Sequence, residues 1–192
     1  IFVSKENVEL GFLVTPFIYA RQGNMITNNV TRLLQSRKIP FTPFELPPEK
    51  LGALETARLL SVPAGQVFKT IVLLRERPGK PILAIIPGNH EVDLKLVATV
   101  VGEKKVKLAT QREAETLTGL EVGGISPLAL LQRGFQMVLD RSVDDYSEIH
   151  ISGGQRGLNI RLSVQSLLQL TNAHVALLSR SVEPSTSAFD SL

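Results

Sequence analysis

Two apolar runs joined by a charged loop do most to limit what this chain can become. Thr70–Leu74 (TIVLL) and Ile82–Ile86 (ILAII) consist almost wholly of β-branched residues, leucine and alanine. Runs of this kind, without polar alternation, suit strands covered on both faces. Arg75–Pro81 between them is charged and contains Pro78-Gly79, which suits a hairpin loop. A buried hairpin needs other elements to cover it, and the rest of the chain supplies candidates.

Asn28 and its neighbours offer caps for a helix carrying Val30, Leu33 and Leu34, closed by Ile39-Pro40. FTPFEL at 41–46 reads as a short edge strand, because Pro43 cannot donate to a ladder. Further helices are expected over 53–60, from Asp93 to about Val101, and from Thr110 to Gly119, the last with Glu113 completing a capping box. A short helix over 128–132 and one from Ser163 to about Leu170 follow. Strands are expected over 105–109, 135–139, 149–152, 158–162 and 174–178, with PGNHEVDL at 87–94 a polar loop. The order gives no clean βαβ repeat. It predicts an α/β fold, a single domain with a mixed, barrel-like β-sheet flanked by helices. That domain should occupy residues 25–180, with 1–24 an N-terminal extension and 181–192, rich in serine, a disordered tail.

Composition narrows the chemistry. The 192 residues contain no cysteine, which removes disulfides and thiolate metal sites. The three histidines, His90, His150 and His174, have no ligand-like spacing, so neither a metal nor another cofactor is expected. Residues 1–24 balance in charge and 181–192 carry only Glu183 and Asp190, so the net charge of +3 is concentrated in the middle of the chain. A modest positive field suits a nucleic-acid or nucleotide ligand, although an ordinary soluble protein can carry it too. No apolar run reaches the length of a membrane span. The apolar stretch Leu10–Ala20 lacks a basic start, so no membrane association is expected and a cytoplasmic location is the natural one.

Three strings can carry chemistry. Lys69, in VFKTIVLL, stands at a strand entrance, where an ammonium can reach into a cleft while its stem packs on apolar neighbours. There it would hold a phosphate or carboxylate as a point charge; the same pattern also fits a solvated lysine. GGISP at 123–127 lets the backbone approach a ligand, and successive N–H groups can hold an oxyanion. SGGQRG at 152–157 is a tight connection whose Arg156 can pair with phosphate or a carbonyl, or simply be solvated. His90 has no obvious nucleophile near it in sequence, and EKKVK at 103–107 is a solvated face or an RNA-backbone contact.

Taken in order, these strings resemble the YbaK/ProX/EbsC family of aminoacyl-tRNA deacylases. The likeness runs from about Val30 to Leu178, through VFKT, IPGNHEVDLKLVA, TGLEVGGISPLAL and IHISGGQRGLNIRL. The same domain occurs as an editing insertion in some bacterial prolyl-tRNA synthetases. The resemblance implies a deacylase that hydrolyses a mischarged tRNA, Cys-tRNA(Pro) first among candidates, with that synthetase as a possible partner. It implies that Lys69 anchors the 3′-terminal adenosine region and that Thr70 and Ser152 line the pocket. It makes Gly123, Gly124, Ser126 and Pro127 a loop cradling the aminoacyl carbonyl, and Gly153, Gly154 and Arg156 a facing loop. It also implies that a ribose hydroxyl or thiol of the substrate assists the reaction. At two pocket positions this chain departs from the subgroup it matches best. Leu46 stands for a tyrosine and Asn159 for an aspartate, leaving Ala- or Ser-type specificity open, as well as a non-catalytic module for tRNA ends.

Overall fold

The computed structural model describes residues 26–182. The expected extension over 1–24 and the tail beyond Val182 lie outside the described residues. Ser181, assigned to that tail, instead closes a strand.

The hairpin forms as expected. β2 (Phe68–Arg75) pairs antiparallel with β3 (Ile82–Pro87), from Phe68 opposite Pro87 to Leu73 opposite Ile82. All six residues of β3 are buried. Ile82, Ala84 and Ile86 join a cluster with Val97 and Val106, while Leu83 and Ile85 point into the other two clusters of the core. β6 (Gln136–Asp140) runs parallel to β3, and β9 (His174–Ala176) parallel to β6. β5 (Val106–Leu108) completes the sheet in the order β5-β2-β3-β6-β9. The sheet is mixed, as expected, but the pairings form three separate sheets and no closed barrel among the described residues.

β2 corrects one expectation. It is not covered on both faces, because Lys69, Thr70 and Ile71 are only half-buried. The cause is the shortness of β5, which pairs with Leu73, Leu74 and Arg75 and leaves the earlier part of that edge unmatched.

A second sheet packs β1 (Phe41–Glu45), β8 (Leu158–Ser163) and β7 (Glu148–Ser152) antiparallel. Pro43 lies on the edge strand, opposite Ile160, where a missing N–H costs least. One face, with Ile149, Ile151, Ile160 and Leu162, is core. The alternate residues, His150, Ser152, Asn159 and Arg161, form a polar face.

The helices follow their caps. α1 (Asn29–Ser36) starts from Asn28, whose Oδ1 accepts from the N–H groups of Val30 and Thr31, while Thr31 Oγ1 accepts from Asn28 N–H. α2 is Ala53–Leu60, α3 is Leu94–Val100 capped by Asp93, and α5 is Val164–Thr171 capped by Ser163. α4 (Gln111–Thr118) has the expected Thr110–Glu113 box and ends at Gly119, with φ of 67°. The helix expected over 128–132 is instead a 3-10 helix, Leu128–Arg133.

The third sheet was not expected. β4 (His90–Val92) pairs with β10 (Ser179–Ser181), so the supposed polar loop is partly strand, and the strand expected over 174–178 stops at Ala176, split from a further strand that starts at Ser179. A buried carboxylate causes the split. Asp140 Oδ2 accepts from Leu178 N–H at 2.9 Å and Ser179 Oγ at 2.8 Å. Its Oδ1 accepts from the N–H and hydroxyl of Ser142 at 2.9 and 2.7 Å. Burial alone would raise the Asp140 pKa; the four donors together hold it below the ordinary 3.8.

Asp140→Ala is expected to cost about 3 kcal/mol in urea unfolding, because it strands buried donors. The carboxylate is stabilised in the folded state, so its contribution is complete above pH 3.8 and is lost as pH falls through the lower folded value. Unfolding curves of wild type and variant should therefore converge in acid. Parallel curves across that window would refute this account.

Candidate active site at the open edge of the sheet

The unmatched edge of β2 is bracketed at both ends. Val67 makes an isolated parallel bridge with His150 of β7, and Ala109 N–H donates to Val72 C=O at 3.0 Å. Between these points the second sheet and β5 diverge. A cleft of about 460 Å³ opens in the gap, lined on one side by Lys69 to Val72. Gly123, Ser152 and Asn159 face it, and Lys50 and Gln111, joined at 3.0 Å, stand on its rim. A small annex of about 40 Å³ shares Gly123, Ser152 and Asn159 with the cleft and is closed by Leu46 and Leu158.

Lys69 is half-buried and lines the cleft. Its ammonium donates to Gly88 C=O at 3.1 Å. Burial lowers its pKa, and the Glu91 carboxylate partly opposes this. Gly88 itself was not singled out from the sequence. A Cβ there would lie 2.8 Å from Ala53 Cβ and 3.1 Å from Val67 C=O, so only glycine lets this turn pass close enough to meet the lysine.

Of the twelve residues expected at the site, the structure brings Lys69, Thr70, Gly123, Ser152 and Asn159 to the cleft and Leu46 to its annex. The other six support the wall from behind. Gly124 N–H donates to Glu121 C=O at 2.8 Å, so it is not free to cradle a ligand. Its α-carbon lies against the Gln155–Arg156 backbone, where a Cβ would sit 2.8 Å from Arg156 N. Arg156 does not enter the cleft either. Its Nε donates to Val122 C=O at 2.9 Å and its guanidinium lies 3.7 Å from Glu121, which clasps the two glycine loops together.

Ser126 and Pro127 are buried away from the cleft lining, and the Ser126 hydroxyl has no partner among the described residues. Gly153 packs on Leu158, with its C=O accepting from Asn28 Nδ2 at 2.9 Å, and Gly154 packs on Val30. The sequence also gave no reason to notice His150. It is 2% exposed, and its Nδ1 is 2.9 Å from Asn159 Oδ1. Burial lowers its pKa more than the Asn159 bond and Glu148 raise it, so the imidazole is neutral near pH 7. Among the described residues no three His, Cys, Asp or Glu side chains gather as a metal site.

The cleft thus combines a half-buried ammonium, a second lysine on its rim, neutral polar walls and a glycine-bearing loop. Residues 47–170 match the aminoacyl-tRNA editing domain family. The chain belongs to that family. This editing domain is 34% identical over 159 residues to EbsC of Enterococcus faecalis, a protein provisionally named as a Cys-tRNA(Pro)/Cys-tRNA(Cys) deacylase. The match covers 82% of this chain and 96% of that one. A proline–tRNA ligase of Geobacter metallireducens is 24% identical over 114 residues, 59% of this chain but 19% of the ligase. Among solved structures, one described as a provisional trans-editing enzyme for prolyl-tRNA synthetase superposes with a TM-score of 0.68 at 27% identity, over 82% of this chain and all of that one. No helix among the described residues is long and apolar enough to cross a membrane.

Gly124→Ala forces backbone against backbone and should lower stability by about 2 kcal/mol, or several degrees in Tm. Gly52→Ala is the control: like Gly124 it has no positive φ, and nothing lies within 4 Å of an added Cβ. Calorimetry showing equal losses for the two would remove the packing role given to Gly124.

Proposed function

We propose that this chain is a free-standing deacylase that acts in trans on a mischarged tRNA in the cytoplasm, with Cys-tRNA(Pro) as its first substrate. The observation that carries this reading is the half-buried Lys69 ammonium, held by Gly88 C=O at the floor of a cleft of about 460 Å³. In a partly desolvated site such a charge attracts a phosphate or polarised ribose oxygen more strongly than in water. The named deacylase relative and the prolyl-tRNA ligases among the matches support the choice of substrate and of prolyl-tRNA synthetase as a partner.

The reaction adds water across the aminoacyl ester, releasing the amino acid and restoring the ribose hydroxyl. The cleft supplies position and electrostatics for this. Lys69 fixes the terminal nucleotide, Gly123 brings backbone to the reacting carbonyl, and Ser152, Thr70 and Asn159 surround the aminoacyl end. The ribose hydroxyl beside the ester, or the thiol of a misplaced cysteine, supplies the assisting group. A second reading, Ala- or Ser-type specificity, is favoured by the annex: about 40 Å³ closed by Leu46 and Leu158 suits a small side chain. A pocket of this kind separates side chains differing by a methylene by only about 1–3 kcal/mol.

Purified protein should accelerate deacylation of Cys-tRNA(Pro) above Ala- and Ser-tRNA(Pro). A reversed order selects the second reading, and binding without turnover on all three refutes the enzyme. Lys69→Ala should lose at least a hundredfold in kcat/KM with an unchanged unfolding curve. Because the lysine works as an ammonium with a pKa below the ordinary 10.5, activity corrected for spontaneous hydrolysis should fall as pH rises through that lowered value. A profile flat to pH 10.5 would remove the ammonium from the mechanism.

A further inference from the structure

His150 is a buried titratable residue to which the reading above gives no task. It shares the polar face of the second sheet with Ser152 and Asn159, both at the cleft wall. Both its ring and its main chain are held. Phe44 lies 5.2 Å away at 49°, and the main chain at Val67 bridges to His150 itself. Nδ1 meets Asn159 Oδ1 at 2.9 Å. With Oδ1 as acceptor, the neutral ring carries its proton on Nδ1. Turning the Asn159 amide over would set its NH2 against that N–H, donor facing donor. In this arrangement ring and amide fix one another, and the Asn159 NH2, which has no partner among the described residues, is left for the cleft.

We propose that His150 is a positioning residue that holds Asn159 with its amide NH2 toward the cleft, so that this wall donates a hydrogen bond to an acceptor oxygen at the aminoacyl end of the substrate. The proposal rests on the deacylase reading of the cleft. A carboxylate at Asn159 would offer only acceptors, suited to an α-ammonium. An amide pinned by its own oxygen offers a donor, suited to the ester carbonyl or ribose oxygen. The choice is made not by Asn159 alone but by the proton on His150.

A double-mutant cycle tests this. His150→Phe and Asn159→Ala should each lower kcat/KM about tenfold, the scale of one lost hydrogen bond. The double variant should fall no further than Asn159→Ala alone. Falls that multiply, or a fully active His150→Phe protein, would overturn the proposal. Nitrogen NMR of wild-type imidazoles provides an arm that needs neither turnover nor a folded His150 variant. His150 should show the Nδ1–H tautomer, and its resonances should shift in Asn159→Ala. An Nε2–H tautomer would present the amide oxygen to the cleft and overturn the proposal even in an active enzyme. A wild type inactive on every mischarged tRNA would refute the deacylase reading while leaving the tautomer result intact.

Discussion

Everything at this site depends on a mismatch of strand lengths. β2 has eight residues, β3 pairs with the first six, and β5 covers only the last three on the other side. A sheet edge left open inside a domain is usually a liability. Here the opening is bounded by the Val67–His150 bridge and by Ala109, too short for another strand but wide enough for a small ligand. The apolar run that builds the core thus also supplies the floor of the cleft, and Lys69 and Thr70 are half-buried because they lie where the partner strand is missing.

The walls are held by contacts that all end on the main chain. Gly124 lets one loop lie directly on the backbone of the other, Arg156 locks that contact through Val122 C=O, and Asn28 ties Gly153 to the first helix. Such a wall has little rotamer freedom to lose when a ligand arrives, which suits catalysis by positioning. It also explains why the two glycine strings lie close together in space while only parts of each touch the cleft.

Local chemistry was legible in the sequence. The Thr110–Glu113 box, the Asp93 and Ser163 caps, Pro43 on an edge and the central hairpin follow from neighbours in the chain. Lys69, Ser152 and Asn159 line the cleft because they sit near the ends of strands that border it, and Gly123 reaches it from a loop. Arg156, Ser126 and Gly124 were misread for a common reason: a charged, hydroxyl or glycine residue near a site looks the same whether it faces the ligand or braces the wall. His150 and Asp140 were passed over because their partners, Asn159 and Ser179, are on other strands, and no spacing along the chain announces a cross-strand bond. The β4–β10 pair was hidden likewise, since three-residue strands in polar sequence carry no periodic signal.

Asp140 has a reach beyond its own bonds. Ser179, which donates to it, also meets His90 Nδ1 at 2.9 Å, and Val182 N–H donates to Asn89 C=O. Asn89 and His90 directly follow Gly88, the carbonyl partner of Lys69. The last described strand is therefore a brace behind the lysine, anchored at one end in the core and at the other in the turn that aims the ammonium. A tag or fusion joined just after Val182 would pull on that brace, whereas the same cargo on exposed residues 76–80 would hang from a loop remote from the turn.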